Sequence, residues 1–235
     1  MRLPVFPPLF EGRQAGDGGT PFVQAVDAAR EGCDAGLVIY RIEADQMRAA
    51  IVFAPERSLS EAAAVLPACG TGFQNALGAL APPEVAVQIA WAGDILVNGG
   101  RCGELRLAGP HCATDAVPGW LVVGLELQLW PASEEGGLTP EITALFAEGC
   151  ADVDPVDLLE AWVRHCLVWL DTWDSEGLGP LHREFAGLTH QSGETISVLG
   201  QSGTVTGLDE NLGLLLKQDG QNLLLPLTRL MEVQP

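Results

Sequence analysis

The segment Trp91-Ala92-Gly93-Asp94-Ile95-Leu96-Val97-Asn98-Gly99-Gly100-Arg101-Cys102-Gly103-Glu104-Leu105 carries a strand, a turn and a returning strand in succession. Asn98-Gly99 is the strongest short hairpin signal, because both central residues of the turn need positive φ and these two tolerate it. Residues 94–97 lead in and residues 101–108 lead out. Just upstream, Val85, Val87, Ile89 and Trp91 alternate with Ala86, Gln88 and Ala90, the period of a half-buried strand. Downstream, residues 120–130 form another long strand. Gly124 inside it marks either a bulge or a close backbone approach.

Working outward, Thr20-Pro21 starts a helix over residues 22–31 that Gly32 stops. Residues 37–42 and 49–53 read as two strands. Ser58-Leu59-Ser60-Glu61 fits a capping box, opening an alanine-rich helix that runs to about residue 80, before Pro82-Pro83. Thr139-Pro140 and Asp154-Pro155 open two further helices. The second carries Trp162, Trp169 and Trp173, whose helical spacing marks core packing rather than a cofactor box. A short helix over residues 181–185 then reaches a linker at 189–192. Beyond it, four short strands (195–199, 204–208, 213–217 and 222–227) with no helix between them suggest a small barrel. The expected architecture is α+β: a mixed β-sheet packed with helices over residues 1–189, then a small β-barrel over residues 190–235.

Composition narrows function. Thirty-one acidic and 12 basic residues among 235 leave a net charge of −19, and Lys217 is the only lysine. The last 45 residues hold two bases and five acids, so the acidity belongs to the large domain. Such a chain lacks the positive face that nucleic acid requires. No stretch approaches the roughly 18 apolar residues of a membrane span. Prolines at positions 4, 7 and 8 stand where a signal peptide needs an apolar helix, so a cytoplasmic location is expected. The six cysteines are scattered without a C-x-x-C pair, as in reduced proteins, and the four histidines lack converging spacings, so no metal site is expected.

The order of elements and several local motifs resemble the biotin/lipoate protein ligase family. Its active members carry Trp-Pro-Asn-Asp-(Ile/Leu)-x5-Lys-x2-Gly across a strand-hairpin-strand, and Trp91, Asp94 and the turn match it. Residues 120–129 resemble the family's later Gly-Ile-Gly-Ile-Asn-Val strand, with Gly124 kept, and residues 193–227 resemble the SH3-like carboxy-terminal domain of bacterial biotin ligases. No amino-terminal helix-turn-helix is seen. The resemblance implies a two-step reaction: biotin, lipoate or octanoate attacks ATP to form an acyl-adenylate, and a lysine of a biotinyl or lipoyl carrier domain takes the acyl group. It implies ATP, the acid and Mg2+ as ligands, and an edge-paired homodimer. Arg101 and Asp94 would be the catalytic pair, with Arg41, Trp91, Gly93, Gly103 and Gly124 lining the substrate.

Joining two anions needs positive charge, which the family takes from a glycine- and arginine-rich loop and from the hairpin lysine. Both depart here. The lysine's position holds Arg101, and residues 40–48, where the loop belongs, contain no glycine and include Glu43 and Asp45. A cationic site for ATP would rest on Arg41, Arg48, Arg101 and Arg106. These departures weigh against ordinary ligase chemistry; the leading reading is a divergent ligase-like protein that still binds a small carboxylate or its adenylate, beside two alternatives, a non-catalytic module binding a small carboxylate or a protein and an ATP-independent acyltransferase using Cys102. Arg101 either grips an anion or leaves the turn into solvent, and Asp94 either acts in the site or caps the turn. Strand alternation places Cys102 opposite Arg101, as a small buried residue. Glu126 faces either site or solvent.

Overall fold

The computed structural model describes residues 2–131, 141–189 and 193–234. One mixed sheet runs through the large domain: β1 (Glu11–Gln14), β2 (Leu37–Ile42), β3 (Gln46–Phe53), β4 (Val87–Ile89), β5 (Asp94–Val97), β6 (Gly100–Pro110) and β7 (Leu121–Gln128). Their spatial order is β1-β2-β3-β7-β6-β5-β4. The predicted hairpin forms, with φ at +51° for Asn98 and +88° for Gly99. The β5–β6 register shifts between Ile95 and Leu96, which pair with Gly103 and Arg101, leaving Cys102 as the extra residue of a bulge.

Helix α1 (Pro21–Arg30) begins as predicted: the Thr20 side chain accepts from Val23 N at 3.3 Å, and Phe22, Ala25, Val26 and Ala29 form its buried stripe. The expected capping box at Ser58 does not form. Its side chain makes no cap bond, and the first amides of α2 (Leu59–Ala62) instead donate to the carbonyls of Ala116 and Thr114, at 2.8 and 2.9 Å. The long helix is also broken, into α2 and α3 (Val65–Leu80). Pro67, which lacks an N–H, is tolerated in the first turn of the second piece but not inside one continuous helix.

α4 (Pro155–Glu176) starts where Asp154 accepts from Val156 N at 2.7 Å, and α5 (Gly179–Leu188) is longer than expected. The helix start at Thr139-Pro140 lies outside the described residues; residues 145–148 form only a 3-10 turn. Trp162 is fully buried and donates to Cys69 O at 3.0 Å, a core role as its spacing implied. Among the described residues no helix is long and apolar enough to cross a membrane.

After the linker, β8 (Thr195–Val198), β9 (Gln201–Leu208), β10 (Leu214–Gln218) and β11 (Gln221–Leu225) form an antiparallel sheet in the order β11-β10-β9-β8. The expected closed barrel is not seen: β8 and β11 are the two edges of an open sheet. The next strand, β12 (Met231–Gln234), is taken by the large sheet, where it pairs in parallel with residues 107–110 of β6. Trp91 joins the two sheets, buried and donating from Nε1 to Leu212 O at 2.8 Å.

Candidate functional site

The two faces of the mixed sheet differ. One carries Met47, Ile51, Leu107 and Leu125 and is covered by α3, α4 and α5. The other carries Ala50, Val52, Ala108 and Val122, and α1 covers only this part of it. Continuing along the same strands at period two, this second face turns polar: Arg48 on β3, Glu126 on β7, Glu104 and Arg106 on β6, Asp94 on β5. Register sets them in a row. Arg41 pairs with Arg48, Arg48 with Glu126, Glu126 with Glu104 and Glu104 with Asp94.

Like charges directly opposite each other destabilise a sheet, and three carboxylates lie consecutively in this row. The arginines neutralise them. Arg101 Nε donates to Asp94 Oδ1 at 2.5 Å and Arg101 Nη2 to Glu104 Oε2 at 2.5 Å. In a regular strand residues 101 and 104 would face opposite ways; the bulge at Cys102 shifts the phase and brings both to this face. Arg106 donates from Nε and Nη2 to the two carboxylate oxygens of Glu232 on β12, at 2.8 and 2.9 Å. Arg48 pairs with Glu43, and its Nε lies 2.9 Å from Glu126 Oε1 but off the line of its N–H, an ion pair without a directed hydrogen bond. The bond that Arg101 donates to Asp94, and after it the charges of Asp94 and Glu104, raise the affinity of Arg101 for its proton above the ordinary arginine value; Glu232 does the same for Arg106.

Of the residues singled out in the sequence, Arg101 and Asp94 meet. The others do not join them. Arg41 donates to Gly16 O and, at 3.3 Å, to Gly19 O, tying down the segment before α1. Gly93 has φ +105° and lies against Leu105 O, and a Cβ on Gly103 would sit 2.2 Å from Glu126 O. Gly124 marks the close approach rather than the bulge: register is unbroken on both sides, and a Cβ there would sit 2.5 Å from the Phe22 ring. That ring in turn lies under the Arg106 guanidinium, 4.4 Å from its centroid. What remains between Phe22, Arg48, Arg106 and Glu126 is a cavity of about 10 Å3, room for about one water molecule.

The segment expected to hold a phosphate loop is a tight turn, with Glu43 N donating to Gln46 O at 2.8 Å across it. Cys102 is 2% exposed on the helix-covered side, and burial pushes its thiol up to about 12. Glu104 and Glu232 were missed as site residues, although the family pattern itself places its closing glycine at position 104; Arg106 was named, but only as one of four arginines for a nucleotide.

The Biotin/lipoate A/B protein ligase family matches over residues 6–187. The chain belongs to this family. Across the chains it is similar to a biotin protein ligase-like protein of unknown function from Silicibacter sp. TM1040, at 52% identity and TM-score 0.92, covering 97% of this chain and 99% of that one. The biotin--[acetyl-CoA-carboxylase] ligase of Paracoccus denitrificans is 25% identical over 188 residues, 75% of each chain. The biotin protein ligase of Aquifex aeolicus, solved with biotin and ATP, shares the fold at TM-score 0.70 and 13% identity, covering 92% of this chain and 95% of that one.

Proposed function

We propose that this chain is a non-adenylating member of the ligase family, a protein that binds one small carboxylate on the charged face of the mixed sheet. Adenylation brings two anions together, the acid and the α-phosphate, so a ligase must present uncommitted positive charge. On this face three arginines (Arg48, Arg101 and Arg106) are paired with five carboxylates (Glu43, Asp94, Glu104, Glu126 and Glu232). The observation that carries the reading is Arg101. In the place of the family's lysine, it is held by Asp94 and Glu104 together. A single ligand carboxylate can take the place of an internal one at its arginine, whereas a triphosphate adds several negative charges that Arg41, held by backbone carbonyls, and Arg229 are too few to meet.

ATP does not fit the residues present. The space beside Phe22 and Gly124, about 10 Å3, can hold no such ligand, and the groove beside Arg106, about 290 Å3, stands at the lower end of the roughly 300–1,000 Å3 of small-molecule sites. The tight turn at residues 43–46 offers no backbone cradle for phosphate, and Mg2+ enters only with the nucleotide. One observation favours the alternative, a ligase attaching biotin or lipoate to a carrier lysine: Asp94 and the residue seven positions on still meet across the hairpin. The acyltransferase reading has the geometry of Cys102 against it, since a buried thiol held near 12 is neither accessible nor ionised at neutral pH.

Calorimetric titration with biotin, lipoate, octanoate and ATP, singly and together, tests the proposal. Heat with at least one acid, none with ATP and no effect of ATP on acid binding are expected. No heat with any acid, or acid binding that ATP strengthens, would overturn it.

A further inference from the structure

Arg106 is held by a part of the chain that arrives from far away. Glu232 stands 126 residues later, on the strand that leaves the four-stranded sheet and pairs with β6. Its two oxygens meet Nε and Nη2 of Arg106 side by side, the fork arrangement by which a guanidinium takes a free carboxylate. Phe22, pressed onto Gly124, gives the guanidinium an aromatic platform and a single orientation. Beside the pair opens a groove of about 290 Å3, bordered by the apolar Leu66, Leu199 and Leu230 and by the charged Asp94, Glu104 and Arg229.

We infer that Glu232 is an internal stand-in for the ligand: its carboxylate occupies the carboxylate site at Arg106, and a small aliphatic monocarboxylate enters by displacing it and laying its chain in the adjoining groove. The inference rests on the carboxylate-binding reading and names its anchor. Displacement is open to a ligand because the pair is accessible, with Arg106 36% and Glu232 40% exposed, and accessible pairs are weakly held. β12 is four residues long and its one strand partner is β6, so it is an element that opens readily. The surroundings also set specificity. Glu104 and Glu126 near Arg106, with Asp94 in the groove, outnumber the one further cation there, Arg229, and repel charge beyond the one exchanged, which favours monocarboxylates over dicarboxylates and phosphate.

The test titrates the full chain with octanoate, glutarate and inorganic phosphate by calorimetry. Glu232→Gln keeps the side chain's size but removes the competing charge, so octanoate should bind about five- to tenfold tighter than to the unaltered chain. Arg106→Met should abolish binding in both backgrounds, and Arg106→Lys, which keeps charge without the fork, should weaken it. In the unaltered chain, octanoate should speed amide hydrogen exchange over Met231–Gln234. If octanoate binds the unaltered chain but Glu232→Gln binds it no tighter, or the exchange of β12 is unmoved, the stand-in inference falls while the carboxylate-binding reading survives. If octanoate binds neither form but biotin or lipoate binds, the aliphatic class is wrong; if no acid binds either form, both readings fall.

Discussion

The same strands show two chemistries on their two faces. Toward α3, α4 and α5 they present Met47, Ile51, Leu107, Leu125 and Leu127, all essentially sealed from solvent and packed with Phe73 and Trp162. Toward α1 the sheet begins apolar, at Ala50, Val52 and Val122, and then becomes a row of alternating and opposed charges that remain half-exposed. The sealed face holds the fold together through burial. The charged face contributes little stability, because accessible ion pairs are worth at most about 1 kcal/mol each, but it determines which ligand charges can be admitted.

That contrast can be broken in order of size. Trp162→Ala should cost about 3–5 kcal/mol in denaturant unfolding, since it opens a cavity in the sealed face and removes the indole bond to Cys69 O. A loss under about 1 kcal/mol would show that this face is not the main core. Gly124→Ala should cost about 1–3 kcal/mol, because its methyl would strike the Phe22 ring. Combining it with Phe22→Ala should cost less than the sum of the two single changes, and simple additivity would show that the contact is not the cause.

On the charged face, Asp94→Asn should change stability by no more than about 1 kcal/mol, an effect that 1 M salt erases. A larger, salt-insensitive loss would mean that the pair is structural. A last effect is confined to alkaline pH. Burial raises the Cys102 thiol from near 9 to about 12 in the folded chain. Its contribution to stability is therefore complete below pH 9 and lost as pH rises toward 12. Cys102→Ala should flatten that decline, and at pH 8 a thiol-labelling reagent should spare Cys102 while modifying the partly exposed Cys112. Ready labelling of Cys102 in the folded chain would revive the acyltransferase reading.

Much of this was legible from local signals. The Asn98-Gly99 turn, the strand at Leu37–Ile42 and the caps at Thr20 and Asp154 are short-range events whose partners lie within a few residues. What was not legible is non-local. The amides opening α2 are satisfied by carbonyls at 114 and 116, where a local capping box was expected. The small sheet stays open because β12 leaves for β6, a choice made by packing across the molecule. The charged row has the same origin. Period-two alternation places Arg48, Glu126 and Arg106 on one face, but only register sets Glu126 against Glu104, and only the bulge turns Arg101 toward Glu104. Glu232 carried no sequence signal at all, since nothing near it points to Arg106.

The central claim is that Arg48, Arg101 and Arg106 are already paired with carboxylates inside the fold, leaving too little positive charge on this face for two reacting anions. Pyrophosphate exchange into ATP, measured with biotin, lipoate and octanoate in turn, addresses it most directly because exchange reports adenylate formation without needing a carrier protein. No exchange above background is expected with any of the three acids. Robust exchange that depends on one of them would contradict it.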